Sequence, residues 1–183
     1  LNESLFIRGE EYSISTNECN NFIEKGYSYQ KEFTKMYLPK FNYLVKNVEI
    51  EKEIAMKYGE NKIAIVYKIK TAKDDVVLKL QPLVNYRNFH ETRNCFELSS
   101  ENEEVKVNVI LNSHGTKLHM ITSEGNFEKY DRIFYRNMYY RVEEKRGLDA
   151  YESHYMPGAF YVAIPKNSEK IIEFVASVDE DEK

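Results

Sequence analysis

From Val48 to Tyr58 the chain alternates: Val48, Ile50, Ile54, Met56 and Tyr58 fall on one side of a pleat, and mostly charged residues fall on the other. That is the pattern of a strand with one face in water. Gly59-Glu60-Asn61 supplies turn residues, and Lys62 to Ile69 carries apolar residues on both faces, which predicts a hairpin whose second strand is covered on both sides. A third run, Val76 to Gln81, follows Asp74-Asp75 and stops at Pro82, which cannot donate to a ladder. Three successive antiparallel strands are expected.

Val105, Val107, Val109 and Leu111 alternate with polar residues before Ser113-His114-Gly115 turns the chain into Lys117 to Thr122, a second hairpin. Arg132 to Val142 is rich in Tyr and Phe. Ala159 to Ile164 and Lys170 to Val178 read as a third hairpin around the turn Pro165-Lys166-Asn167-Ser168. Phe22 to Met36 carries helix-compatible charges, but Gly26 and the spacing of Tyr27, Tyr29 and Phe33 favour a strand. Many short strands with no repeat or glycine-rich linker point to an all-β, two-layer antiparallel β-sandwich over residues 1–178, with a partly closed barrel as its alternative.

Composition narrows the function classes. The 183 residues carry 26 Lys and Arg against 30 Asp and Glu, a net charge of −4, so no broad positive field exists to bind nucleic acid. No apolar run approaches a membrane span. Fifteen Tyr and ten Phe suit half-buried pleated surfaces. Two cysteines, Cys19 and Cys95, are too few for a structural zinc site of three or four thiolates or for a dense disulfide framework, and point to the reducing cytoplasm; a single bridge between them stays open beside the reading of two free thiols. Leu1-Asn2-Glu3-Ser4 has no signal-peptide character, and 179–183 reads as an acidic tail or linker, so both edges look like cuts through a longer protein.

Two segments break the strand pattern with clustered polar residues. One is Gln81 to His90, which offers an amide, a guanidinium, an imidazole and two aromatic rings; the other is Tyr139 to Gly158. Aromatic faces beside planar Arg, Asn and carboxylate groups suit a sugar, while the same residues equally serve to brace long loops. Glu143, Glu144, Asp149 and Glu152 invite comparison with the two carboxylates of a glycosidase. Acids this close in sequence, mixed with Lys145 and Arg146, are better read as salt-bridged loop residues. His90, His114, His119 and His154 lack metal-ligand spacing, and the sequence has no nucleophile elbow, phosphate loop, dinucleotide fingerprint or zinc motif. No catalytic residue, metal or cofactor is assigned.

The two segments, with the first hairpin, also carry a family resemblance. Ile50-Glu51-Lys52 with Ile54 and Met56, Gly59-Glu60-Asn61 and Val66-Tyr67 resembles the first strand pair of the N-terminal domain of bacterial and archaeal glycogen debranching enzymes of the amylo-α-1,6-glucosidase type. Leu80-Gln81-Pro82-Leu83-Val84-Asn85-Tyr86-Arg87-Asn88-Phe89-His90 is similar to that family's Leu-Arg-Pro-Leu-Val-Asn-Tyr-Arg-Asp-Phe-His signature, and Glu144 to Asp149 with Glu152 and Pro157-Gly158 is similar to its Glu-Arg-Gly-Leu-Asp and Pro-Gly segment. Gln81 and Asn88 depart from it, standing where the family more often has Arg and Asp. The glycine-rich and Arg-Arg-Tyr-His segments that usually open the family's domain would precede Leu1.

The resemblance implies a supersandwich-like domain followed by a helical (α/α)6 barrel that hydrolyses α-1,6 branch linkages in glycogen with its own carboxylates. On that reading this chain is non-catalytic: it supports the barrel and presents Asn85, Arg87, His90, Arg146, Asp149 and Glu152 to the barrel or to α-glucan. Its expected partners are therefore glycogen and the barrel, without nucleic acid or membrane, in the cytoplasm. The alternative is a free-standing protein-interaction or carbohydrate-binding sandwich module.

Overall fold

The computed structural model describes residues 1–20, 22–71, 73–88, 91–94, 98–111 and 115–179. Among them the chain forms fifteen strands, a single turn of 3-10 helix at Gly26–Tyr29 and one short α-helix, α1 (Arg141–Lys145). No helix of the described residues is long and apolar enough to cross a membrane. In chain order the strands begin β1 (Asn2–Ile7), β2 (Glu10–Ser13), β3 (Glu18–Cys19), β4 (Phe22–Ile23) and β5 (Gln30–Lys35). They continue β6 (Pro39–Val45), β7 (Val48–Met56), β8 (Lys62–Lys70), β9 (Val76–Gln81) and β10 (Ser99–Asn102). The last are β11 (Lys106–Ile110), β12 (Lys117–Thr122), β13 (Asn126–Tyr139), β14 (Tyr151–Ile164) and β15 (Glu169–Ser177).

Two antiparallel sheets result, one ordered β2-β1-β9-β14-β13-β3-β4 and the other β10-β11-β12-β15-β8-β7-β6-β5. They pack as a sandwich, as the alternation predicts. Leu5, Leu78, Leu80, Phe160 and Val162 from the first sheet meet Val45, Ile50, Tyr67, Ile69, Val109 and Ile172 from the second in one buried core. Burying apolar side chains such as these, each worth about 1.5–3 kcal/mol, is what drives the two faces together.

The hairpin β7–β8 forms where the sequence places it, and β11 pairs with β12 as expected, Ser113 and His114 of the turn between them lying outside the described residues. Two other expectations are corrected. β9 does not lie beside β8: it crosses to the other sheet and pairs with β1 and β14. β14 and β15 likewise belong to different sheets, so Pro165 to Ser168 is a bridge between layers and not a hairpin turn. A period of two reports which residues face the core; it carries no information on which sheet supplies the neighbour. β8 is covered on one face only, since Ile65, Tyr67 and Ile69 are buried while Ala64 and Val66 are half-buried and Lys68 is exposed. The stretch from Phe22 to Met36 is a strand only at its ends, β4 and β5, with the 3-10 turn between.

Pro157-Gly158 lies inside β14 and is not the end of a loop. Proline is tolerated there because Pro157 faces a bulge in β13, where the register jumps between Lys129 and Ile133 and no ladder bond is required of it. Gly158 is required by contact: a Cβ would stand 2.1 Å from the Glu128 carbonyl oxygen and 2.6 Å from the Phe127 ring. This close approach lets β14 run unbroken from the core out to the end of the sandwich where Glu152 sits.

Candidate functional site

The site is built on the projecting first half of β14. Residues 82–88 and 91–94 run beside it and are tied to it twice. Val84 exchanges both backbone bonds with Tyr155 (2.9 and 2.8 Å), and the Ser153 N–H donates to the Arg93 carbonyl (2.9 Å). Between these ties the side chains of Asn85 and Arg87 reach Glu152. On the other flank β13 ends at Tyr139, and α1 carries the chain from Tyr140 back to β14, with the Tyr140 N–H donating to the Ala150 carbonyl at 2.9 Å.

The helix stops by a Schellman arrangement. Leu148 N–H donates to the Glu143 carbonyl (3.0 Å) and Gly147 N–H to the Glu144 carbonyl (2.9 Å), with Gly147 at φ +73°. Gly147 in the Glu-Lys-Arg-Gly-Leu-Asp run is thus the residue that turns the chain towards Asp149 and Glu152.

Glu152 is 1% exposed and fully engaged. Asn85 Nδ2 donates to Oε2 at 2.9 Å, Arg87 donates through Nε to Oε2 at 2.7 Å and through a terminal nitrogen to Oε1 at 3.2 Å, and the Tyr140 hydroxyl donates to Oε1 at 2.6 Å. His154 Nε2 stands 3.4 Å from Oε1. Burial alone would raise the carboxyl, but the hydrogen bonds from Arg87 and Tyr140, with the charges of His154 and Arg87, outweigh it and hold Glu152 below the usual carboxylate value. Burial also lowers His154, against the pull of Glu152, so its imidazole is neutral at neutral pH. Its Nδ1 is buried with no hydrogen-bond partner, which assigns the proton to Nε2, facing the carboxylate. Burial and the bond to Glu152 raise the Tyr140 hydroxyl, which keeps it a donor.

Arg87 and Tyr140 each have a second face on an open cavity of about 580 Å³, which Tyr139, Arg141, Arg146 and Asp149 also line. Tyr139 stacks on Tyr151, with ring centroids 5.0 Å apart and planes at 28°. Its hydroxyl donates to Glu144, the main reason that hydroxyl is pushed up to about 12. Arg141 pairs with Glu18 at 2.5 Å and Arg146 with Glu143 at 3.0 Å. The wall therefore combines aromatic faces with charge-paired planar groups, of which Arg87 is held from behind by the buried Glu152, a surface suited to a neutral polyhydroxylated ligand. Glu152 is in the opposite condition to a glycosidase acid, which must be held protonated: it is ionised, buried and used up by four neighbours.

Of the residues singled out from sequence, Asn85, Arg87 and Glu152 converge on one point. Arg146 and Asp149 line the cavity without reaching Glu152. His90 lies outside the described residues, as does Cys95; Cys19 is a half-buried free thiol. Among the described residues no three of His, Cys, Asp and Glu gather as a metal site. Tyr140 and His154 are the site residues that sequence reasoning missed. Glu152 and His154 stand two apart on a strand and so share a face, a signal hidden while this stretch is read as loop.

A two-sheet β-sandwich domain with a polar and aromatic cavity built on its end loops is the class that fold and site define. Residues 1–171 match the family described as glycogen debranching enzyme N terminal, and the chain belongs to that family. No curated protein sequence matches it. Two solved structures are similar in fold. One, described as "Putative kojibiose phosphorylase from human microbiome", has 10% identity and a TM-score of 0.45, with 99% of this chain and 22% of that one covered. The other, a polysaccharide lyase, has 9% identity and a TM-score of 0.44, with 96% and 25% covered. The chain thus spans about a quarter of the length of these proteins or less.

Proposed function

We propose that this chain is the non-catalytic N-terminal domain of a cytoplasmic amylo-α-1,6-glucosidase that debranches glycogen. It supports the catalytic (α/α)6 barrel of the same polypeptide and offers α-glucan a binding surface at the cavity beside α1. Family membership supports reading the chain as the N-terminal part of a glucan-active enzyme. The observation that carries the domain's role is Glu152: its carboxylate is spent on holding Asn85, Arg87 and Tyr140, and two of these three form the cavity wall. A carboxylate so engaged positions a binding surface and does not transfer protons. In this arrangement Tyr139 and Tyr140 cover the apolar face of a glucose unit, while Arg87, Arg146 and Asp149 meet its hydroxyls.

Isothermal titration of the chain with linear and branched maltooligosaccharides tests the binding half. Weak heat that disappears in Arg146→Ala is expected, and no heat with any glucan removes it. Incubation with a branched dextrin tests the other half: the chain alone releases no glucose and the full-length enzyme does. Glucose released by the chain alone overturns the assignment.

A further inference from the structure

The largest exposed apolar side chains do not surround the cavity. Met36 and Tyr37, 86% and 97% exposed, occupy the β5–β6 connection; Met56, 73% exposed, and the fully exposed Tyr58 occupy the end of β7 and the turn into β8. The register puts both turns at the same end of the eight-stranded sheet, because Lys40 lies opposite Glu53 and Met56 opposite Ile63. A hollow of about 280 Å³ lies there between Tyr37, Leu38, Lys40 and Glu53. Turns of this length are normally made of Gly, Asn, Asp or Ser, and Met-Tyr-Leu serves no turn geometry. Met and Tyr are the side chains enriched where two protein surfaces close on each other.

The end of β15 reaches the same place, since Ser177 lies opposite Lys62. Just beyond it Asp179 is clamped to the turn that carries Tyr58. Asn61 donates to its carboxylate through the backbone N–H at 2.7 Å and through the side-chain amide at 3.2 Å, and the Val178 N–H donates to the Asn61 carbonyl at 3.2 Å. The path of the chain is therefore fixed beside the exposed tips.

We propose that this end of the eight-stranded sheet is the seat of the remainder of the enzyme, with Met36, Tyr37, Met56 and Tyr58 packed against the polypeptide that follows Asp179. The inference rests on the reading of the chain as the N-terminal part of a longer enzyme and names the surface that reading leaves open. The following polypeptide is favoured over a second copy because a segment tethered at Asp179 meets the tips at an effective concentration on the order of millimolar, which a free copy does not reach.

Hydroxyl-radical footprinting of the full-length enzyme, without glucan, tests it, since Met and Tyr are strongly labelled side chains. Oxidation of the four tips is expected to run at least about fivefold slower than for free Met and Tyr, as for side chains in an interface core. Phe22 and Tyr27, more than half exposed elsewhere, label freely. In the full-length double variant Tyr37→Ser, Tyr58→Ser, labelling of Met36 and Met56 rises towards the free rate. Tips that label at the free rate overturn the inference. If protection falls on Tyr139 and Tyr151 instead, docking is at the cavity: this inference fails and the domain reading stands. Protection that grows with enzyme concentration assigns the tips to a second copy and also overturns it. If no exposed side chain of residues 1–179 is protected, the supporting role fails with it.

Discussion

Among the described residues two glutamates are buried, and their surroundings differ in one respect. Glu3, 3% exposed on β1, sits between the sheets, where Lys52 approaches to 2.5 Å and the Tyr67 hydroxyl donates to it. Both partners are themselves buried or nearly so, and burial foremost drives the Tyr67 hydroxyl far above its ordinary value. Glu152 has the same degree of burial, but Arg87 and Tyr140 each turn a second face to open space. One hub ties layer to layer; the other stiffens a wall that a ligand can touch. A buried acid with polar partners is thus no sign of a site by itself, and what distinguishes the second is that its partners reach solvent.

The largest effect is expected at the enclosed hub. Glu3→Ala strands the Lys52 ammonium between the sheets and should cost about 3–5 kcal/mol in urea unfolding. Glu152→Ala should cost about 3 kcal/mol, at the lower end of that range, because Arg87 is 24% exposed and can turn to water. If Glu152→Ala costs more than Glu3→Ala, the distinction between a layer tie and a wall brace is lost.

Acid acts on the Glu152 hub next. Glu152 and His154 both lie below their ordinary values in the folded state, so each contributes stability at higher pH that is lost on acidification. The His154 contribution is complete above about pH 6.5 and declines as pH falls through its lowered value; that of Glu152 is complete above about 4.3 and declines below it. Thermal unfolding followed against pH should show both declines, and His154→Gln should abolish the first. The smallest effect is at the rim. Arg146→Ala, which removes an exposed pair with Glu143, should change stability by less than about 0.5 kcal/mol while weakening glucan binding.

What the sequence made legible follows the same division. The β7–β8 hairpin could be read because its alternation is long and Gly59 marks its turn, and β11–β12 could be read likewise. The crossings of β9 and of β15 could not, because facing is local information and partnership is not. Asn85, Arg87 and Glu152 stood out as polar residues clustered where strand pattern stops. Tyr140 did not, since a tyrosine in an aromatic stretch is indistinguishable from core until its hydroxyl is seen on Glu152. Reading Tyr139 to Gly158 as a break in the strand pattern hid the strand that brings Glu152 and His154 to one face.

The crossings have a kinetic corollary. β9 is reached from the second sheet and joins the first beside β1, and β15 leaves the first to be inserted between β8 and β12 in the second. Neither layer is a contiguous piece of chain, so neither can be finished while the other is still open. Interleaving of this kind places folding among the slow, non-local topologies, on the order of milliseconds to seconds, and favours one concerted transition over layer-by-layer assembly.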